Sequence, residues 1–157
     1  MPNVSASKDL PKLVRVSLGS AMALGLLKTK VDALPTTAYL MTYRKQKCSA
    51  NCRFCPQARK SYSRADMLSR ISWPIFPTRR VLNEIRNAAR NDAIRRICIQ
   101  ALNYPRVFAH LQVLVRTVKK WANAPISISC QPSIPENVRL MAEAGAERIG
   151  IPVDAAT

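Results

Sequence analysis

The chain has a single histidine, His110, only nine acidic residues among 157, and just one C-x2-C pair. Each shortage removes a class of protein. A structural zinc site closes on four ligands, commonly from two C-x2-C half-sites or added histidines, so zinc is the weaker fit. Five cysteines, an odd number, and no clear secretory signal argue against a disulfide framework. No apolar run is long enough to span a bilayer. The segment Val16 to Leu27, preceded by Lys8, Lys12 and Arg15, imitates a signal peptide but runs into Lys28, Lys30 and Asp32 without a small-residue cleavage site. It is expected to form an amphipathic helix packed on the domain, and the protein is expected to be cytoplasmic with no membrane partner.

Basic residues are plentiful: 25 Lys and Arg against those nine acids leave a net charge of +16. Such an excess raises nucleic acid as a partner. The cations are spread along the chain, however, and no RNA-binding or helix-turn-helix signature accompanies them, so most are expected to form a solvated face. Those flanking the cysteines described next suit an anionic substrate, an acidic carrier protein or the negative face of an electron donor. A basic nucleic-acid-binding protein with a structural metal is the alternative from another class. It predicts colourless, zinc-bound protein whose nucleic-acid affinity falls steeply with salt.

Cys48-Ser49-Ala50-Asn51-Cys52-Arg53-Phe54-Cys55 places three cysteines in eight residues with C-x3-C-x2-C spacing. Thiolates so close can converge on one metal centre, and three without a neighbouring fourth leave a cluster one ligand short. The open position is where chemistry can occur. Thr37 to Tyr43, just upstream, has strand character, which puts the cysteines at the carboxyl end of a β-strand, where α/β active sites sit.

Beyond the loop, Ser61 to Pro77 reads as an extended crossover. Thr78 to Asn91 follows as a helix capped by Thr78, with Val81, Leu82 and Ile85 on one face. Strand and helix then alternate: a strand at Arg95 to Leu102, a helix at Arg106 to Trp121, a strand at Ile126 to Cys130, a helix at Pro135 to Ala144 ending at Gly145, and a strand at Arg148 to Val153. This is the order of a parallel sheet with outer helices. The fold class is therefore α/β, with about four parallel strands preceded by an N-terminal helix. The length and 48 % hydrophobic content suit a single core at most.

The cysteine spacing, with aromatic Phe54 before the last cysteine, resembles the radical S-adenosylmethionine (radical SAM) superfamily. The resemblance implies a partial (βα) barrel, with residues 1–35 as an N-terminal helical segment and 36–157 as the N-terminal part of a core domain whose later strands are missing. It implies that Cys48, Cys52 and Cys55 each bind one iron of a [4Fe-4S] cluster. The fourth iron would chelate S-adenosylmethionine, and an electron from ferredoxin or flavodoxin would cleave it to a 5′-deoxyadenosyl radical that abstracts hydrogen. Phe54 would meet the adenine by packing or through its backbone. Ala101-Leu102-Asn103 stands where the superfamily often has a Gly-Gly-Glu-like stretch, which makes Asn103 a cofactor contact, and Asp154 is expected at the ribose. Arg96 to Leu102 is similar to the second strand of biotin synthase, including a cysteine at Cys98, which makes Cys98 a candidate ligand of an auxiliary sulfur-donating cluster or an ordinary strand cysteine. The register of Cys130 looks about three residues late for the same role. Segment order resembles the biotin synthase-related and lipoyl synthase-like branch, so sulfur insertion is the expected reaction and another radical reaction the alternative.

Overall fold

Alternation in Arg96-Ile97-Cys98-Ile99-Gln100 and in Ile126-Ser127-Ile128-Ser129 gives two strands each an apolar side and a polar side. The computed structural model, which describes residues 9–29 and 31–152, shows both in one sheet. Its elements are β1 (Leu13–Val16), α1 (Leu18–Ala23), β2 (Thr37–Thr42), β3 (Met67–Leu68), β4 (Ile71–Ser72), β5 (Ile75–Pro77), α2 (Thr78–Arg90), β6 (Arg96–Gln100), α3 (Val107–Trp121), β7 (Ile126–Ser129), α4 (Pro135–Ala144) and β8 (Arg148–Gly150). The main sheet runs β5-β1-β2-β6-β7-β8, and β2, β6, β7 and β8 are mutually parallel.

One face of this sheet is dry. Leu40, Ile97, Ile99, Ile126 and Ile128 are buried there with Val81, Leu82 and Ile85 of α2, Leu111, Leu114 and Val115 of α3, and Met141 of α4. Burying each such side chain contributes roughly 1.5–3 kcal/mol, enough to make this layer the principal core. Gly145 ends α4 at φ 110°, a left-handed position that suits glycine, and a Cβ there would also crowd the Lys119 side chain.

The N-terminal segment departs from the expected helix. Leu13-Val14-Arg15-Val16 alternates like a strand and pairs antiparallel with both β2 and β5, burying Val14 and Val16, so the helix shrinks to Leu18–Ala23. Residues before 36 thus contribute to the same sheet. The crossover at 61–77 is also more ordered than expected. It holds the β3–β4 hairpin, turned by Ser69 and Arg70 at φ 51° and 65°, and then the edge strand β5. Thr78 is not the cap of α2: Pro77 takes that place, and the Thr78 hydroxyl is buried without a partner among the described residues. Among the described residues no helix is long and apolar enough to cross a membrane.

Where α3 begins, His110 Nδ1 lies 3.0 Å from the Tyr104 hydroxyl. Burial, then the Arg106 charge, hold the imidazole below its ordinary value, with Asp9 opposing. The native state therefore binds its proton later than the unfolded chain on acidification. Stability should be retained above about pH 6.5 and lost progressively below it as pH falls toward the folded value. Denaturant titrations at pH 7.5 and 5.5 should show a smaller acid loss for His110→Gln than for the parent.

Candidate functional site

Beyond Thr42 at the end of β2 the chain turns into the cysteine loop, which is tied back to the sheet at several points. The Cys48 N–H donates to the Gln57 carbonyl at 3.0 Å, and both the N–H and hydroxyl of Ser49 donate to the Asn103 carbonyl at 2.8 Å. Arg59 N–H reaches the Ala50 carbonyl at 2.9 Å. On the sheet side, the buried Thr42 hydroxyl accepts from Leu102 N–H at 2.9 Å, fixing the turn after β6 against the strand that launches the loop.

These ties bring Cys48, Cys52 and Cys55 to one cavity of about 320 Å³, lined also by Gln100 at the end of β6 and Asn103 beyond it, by Ser129 at the end of β7 and Gln131 beyond it, and by Gly150 of β8. The cavity stands at the carboxyl ends of the parallel strands, the position that α/β folds use for ligands. Met41 and Leu102 give it an apolar floor and, with Trp73, form a second small core.

Donors point at the sulfurs. Asn103 N–H donates to Cys48 Sγ at 3.0 Å and Gln131 Nε2 to Cys52 Sγ at 3.7 Å. The Cys55 thiol is pushed up chiefly by burial, opposed by the N–H groups of Gln57 and Ala58, with the Cys52 and Cys48 sulfurs raising it further. The three thiols thus lie within electrostatic reach of one another. Among the described residues no three His, Cys, Asp or Glu side chains converge tightly enough for one metal ion. A four-iron cluster takes each thiolate on a different iron, so three thiols on one cavity and the N–H groups aimed at the sulfurs fit a cluster.

The remaining expected site residues divide. Asn103 is in the cavity, and its side-chain amide donates to Gln131 Oε1. Phe54 is not: the residue is 92 % exposed and lines a neighbouring cavity with Cys55, Leu68 and Arg70. Cys98 lies on β6, where Gln100 Nε2 donates to its sulfur at 3.3 Å, and its ladder neighbours are Tyr39 and Ser127 rather than another cysteine. Cys130 is buried and lines the cavity three residues beyond Ser127. Asp154 lies outside the described residues.

Three side chains that sequence reading passed over organise the loop. Lys47 Nζ donates to the carbonyls of Pro56, Ser61 and Ser63 at 2.9, 2.7 and 2.5 Å. Buried Gln57 donates to Ala65 and Met67 at 2.8 and 2.7 Å, joining the loop to the hairpin. Gln131 was accessible to inspection, since Ser127, Ser129 and Gln131 continue one period-2 face. Hydrogen bonds to a charged group contribute about 1.5–3 kcal/mol each, so Lys47→Met should lower the opening free energy of residues 56–63 by about 2 kcal/mol or more, seen as faster amide exchange there while the sheet keeps its protection.

A family model described as Radical SAM superfamily matches residues 44–157, from just before the first cysteine onward. No curated protein matches the chain.

Proposed function

The chain belongs to the radical SAM superfamily, whose enzymes use a [4Fe-4S] cluster and S-adenosylmethionine, and from that premise we propose that Cys48, Cys52 and Cys55 hold the cluster in an enzyme that inserts sulfur at an unactivated C–H bond, as in biotin or lipoyl formation. One observation carries the cysteine assignment: all three line a single cavity at the carboxyl ends of the parallel strands. When bound there, cluster and cofactor supply reductive cleavage to methionine and a 5′-deoxyadenosyl radical that abstracts hydrogen. The parallel strands would belong to the family's (βα) barrel.

The chain's own groups have definable tasks. Asn103 N–H and Gln131 stabilise thiolate sulfur by donating to it. Lys47 and Gln57 hold the loop in shape, and Met41 and Leu102 exclude water beneath it. Phe54 contributes through its backbone, since its ring faces solvent. Asp154 keeps its ribose assignment on sequence position alone. The sulfur-insertion outcome is supported by the likeness of Arg96 to Leu102 to biotin synthase's second strand. Exposed Lys45, Arg53, Arg59 and Lys60 around the loop suit an acidic electron donor such as ferredoxin or flavodoxin, or an acidic carrier-protein substrate.

Anaerobic reconstitution with iron and sulfide, then reduction in the presence of S-adenosylmethionine, tests this reading. About four irons per chain and release of 5′-deoxyadenosine are expected. About eight irons would indicate an auxiliary cluster using Cys98. Zinc in place of iron would overturn the assignment.

A further inference from the structure

The helix layer is unevenly charged. Helix α4 carries Arg139 with Glu136 and Glu143, and the arginine pairs with both acids. Helix α2 instead carries Arg79, Arg80, Arg86 and Arg90 against Glu84 alone, and α3 carries Arg116, Lys119 and Lys120 with no acid. Among the described residues, only Lys119 of these α2 and α3 cations has a carboxylate within ion-pair distance, Glu147 at 3.0 Å.

The last turns of α2 and α3 meet at a cleft of about 300 Å³, walled by Arg86, Ala89 and Arg90 from one helix and by Lys119, Lys120 and Trp121 from the other. Arg86 and Arg90, four residues apart, share one face of α2 with their Cβ atoms about 5–6 Å apart. Because α2 ends just before β6 and α3 just before β7, the cleft stands at the amino ends of the parallel strands. The cysteines are at the other end.

Cations in a last turn offset the helix macrodipole, by about 0.3–1 kcal/mol each, and this accounts for Arg90, Lys119 and Lys120. Two observations remain. Arg86 stands a full turn earlier, exposed and without a carboxylate partner among the described residues, yet lines the same cleft. The indole N–H of Trp121 is buried and has no hydrogen-bond partner among the described residues. An unpaired buried donor costs about 1–3 kcal/mol, which an acceptor entering beside Trp121 would recover.

We propose that this cleft is a second ligand site, for a di- or triphosphate group that is either free or carried by a nucleotide. Arg86 and Arg90 present guanidinium forks that match phosphate oxygens, Lys120 adds a point charge, and Trp121 supplies one further donor. Several cations free of carboxylates around one cleft require a multiply charged anion, since a single carboxylate would leave most of the charge unopposed. The volume lies at the lower end of the range of about 300–1,000 Å³ for small-ligand sites. Trp121, Ala89 and Ala122 form its apolar wall, against which a nucleobase would pack. The site is independent of the cysteine cavity and of the reading under Proposed function.

Calorimetry on the full chain at about 0.15 M salt, with inorganic phosphate, diphosphate, triphosphate and ATP, tests the proposal. Affinity should rise with each added phosphate. Triphosphate and ATP should bind at least about tenfold more weakly to R86Q/R90Q/K120Q, and R86K/R90K should keep part of the affinity. R79Q/R80Q/R106Q removes the same charge from the opposite ends of the two helices, more than a Debye length away along α2, and should bind within about twofold of the parent. Circular dichroism checks that each variant is folded. Equal binding of triphosphate and ATP assigns the site to free polyphosphate; tighter ATP, brought back to the triphosphate value by W121F, assigns it to a nucleotide. No binding, no rise with phosphate number, or equal losses in the two triple variants overturns the proposal. Tight binding of a short single-stranded RNA that weakens equally in both triple variants, with triphosphate failing to bind, also overturns it and makes the α2 and α3 face a nucleic-acid surface.

Discussion

Replacing Cys52 by alanine is expected to abolish cluster assembly, taking reconstituted iron from about four per chain to less than about one and 5′-deoxyadenosine formation down by about a thousandfold or more. Cys52 occupies the middle of the C-x3-C-x2-C run and lines the cavity with Cys48 and Cys55. Removing it leaves two thiols where the proposed cluster needs three. Its only hydrogen-bond donor among the described side chains, Gln131, then faces an empty position. The fold should hardly notice, because Cys52 is half-buried in a loop and absent from both apolar clusters, so unfolding of the iron-free chain should shift by about 0.5 kcal/mol or less. Cys130→Ala is the informative control: Cys130 lines the same cavity but belongs to the main core, so it should cost stability and leave the iron count intact. A C52A protein that keeps four irons and makes product would remove Cys52 from the ligand set.

The parts of the fold that sequence reading captured are those governed by local period and punctuation. β2, β6, β7 and β8, the three longer helices and the Gly145 stop all follow from alternation, 3.6-residue spacing and a glycine in its usual place. What escaped depends on distant partners. Leu13–Val16 is four residues long and becomes a strand because Val14 meets Thr42 on one side and Phe76 on the other. The hairpin turn at Ser69 and Arg70 adopts left-handed backbone at residues that do not advertise it, where glycine or asparagine would have been a signal. The same division runs through the site. Cysteine spacing is local and was legible, whereas the pairing of Gln131 with Cys52 spans 79 positions. The register that gives Cys98 a serine as neighbour exists only once β6 and β7 are paired.

A two-faced sheet also sets the second large effect, which separates folding from function at adjacent residues. Ile99 is fully buried on β6, between Leu40 and Ile128 in the ladder, and faces the helix layer. Ile99→Ala removes three carbon atoms from close-packed surroundings and should cost about 2–5 kcal/mol, lost transfer energy plus the cavity left behind. Against a total stability of about 5–15 kcal/mol, and at about 2–4 °C per kcal/mol for a chain of this size, melting should fall by about 4–20 °C. Cys98, one residue earlier, points to the other side, is half-buried and touches Gln100. Cys98→Ser keeps its size and hydrogen-bonding capacity there and should cost less than about 1 kcal/mol. Thermal unfolding of both variants therefore maps the faces directly. A large loss for I99A with a small one for C98S means that the Cys98 side is not part of the packed core, so any change in substrate binding or iron content in C98S reports on that open surface and not on folding. Comparable losses would mean that the polar row is packed as tightly as the apolar one.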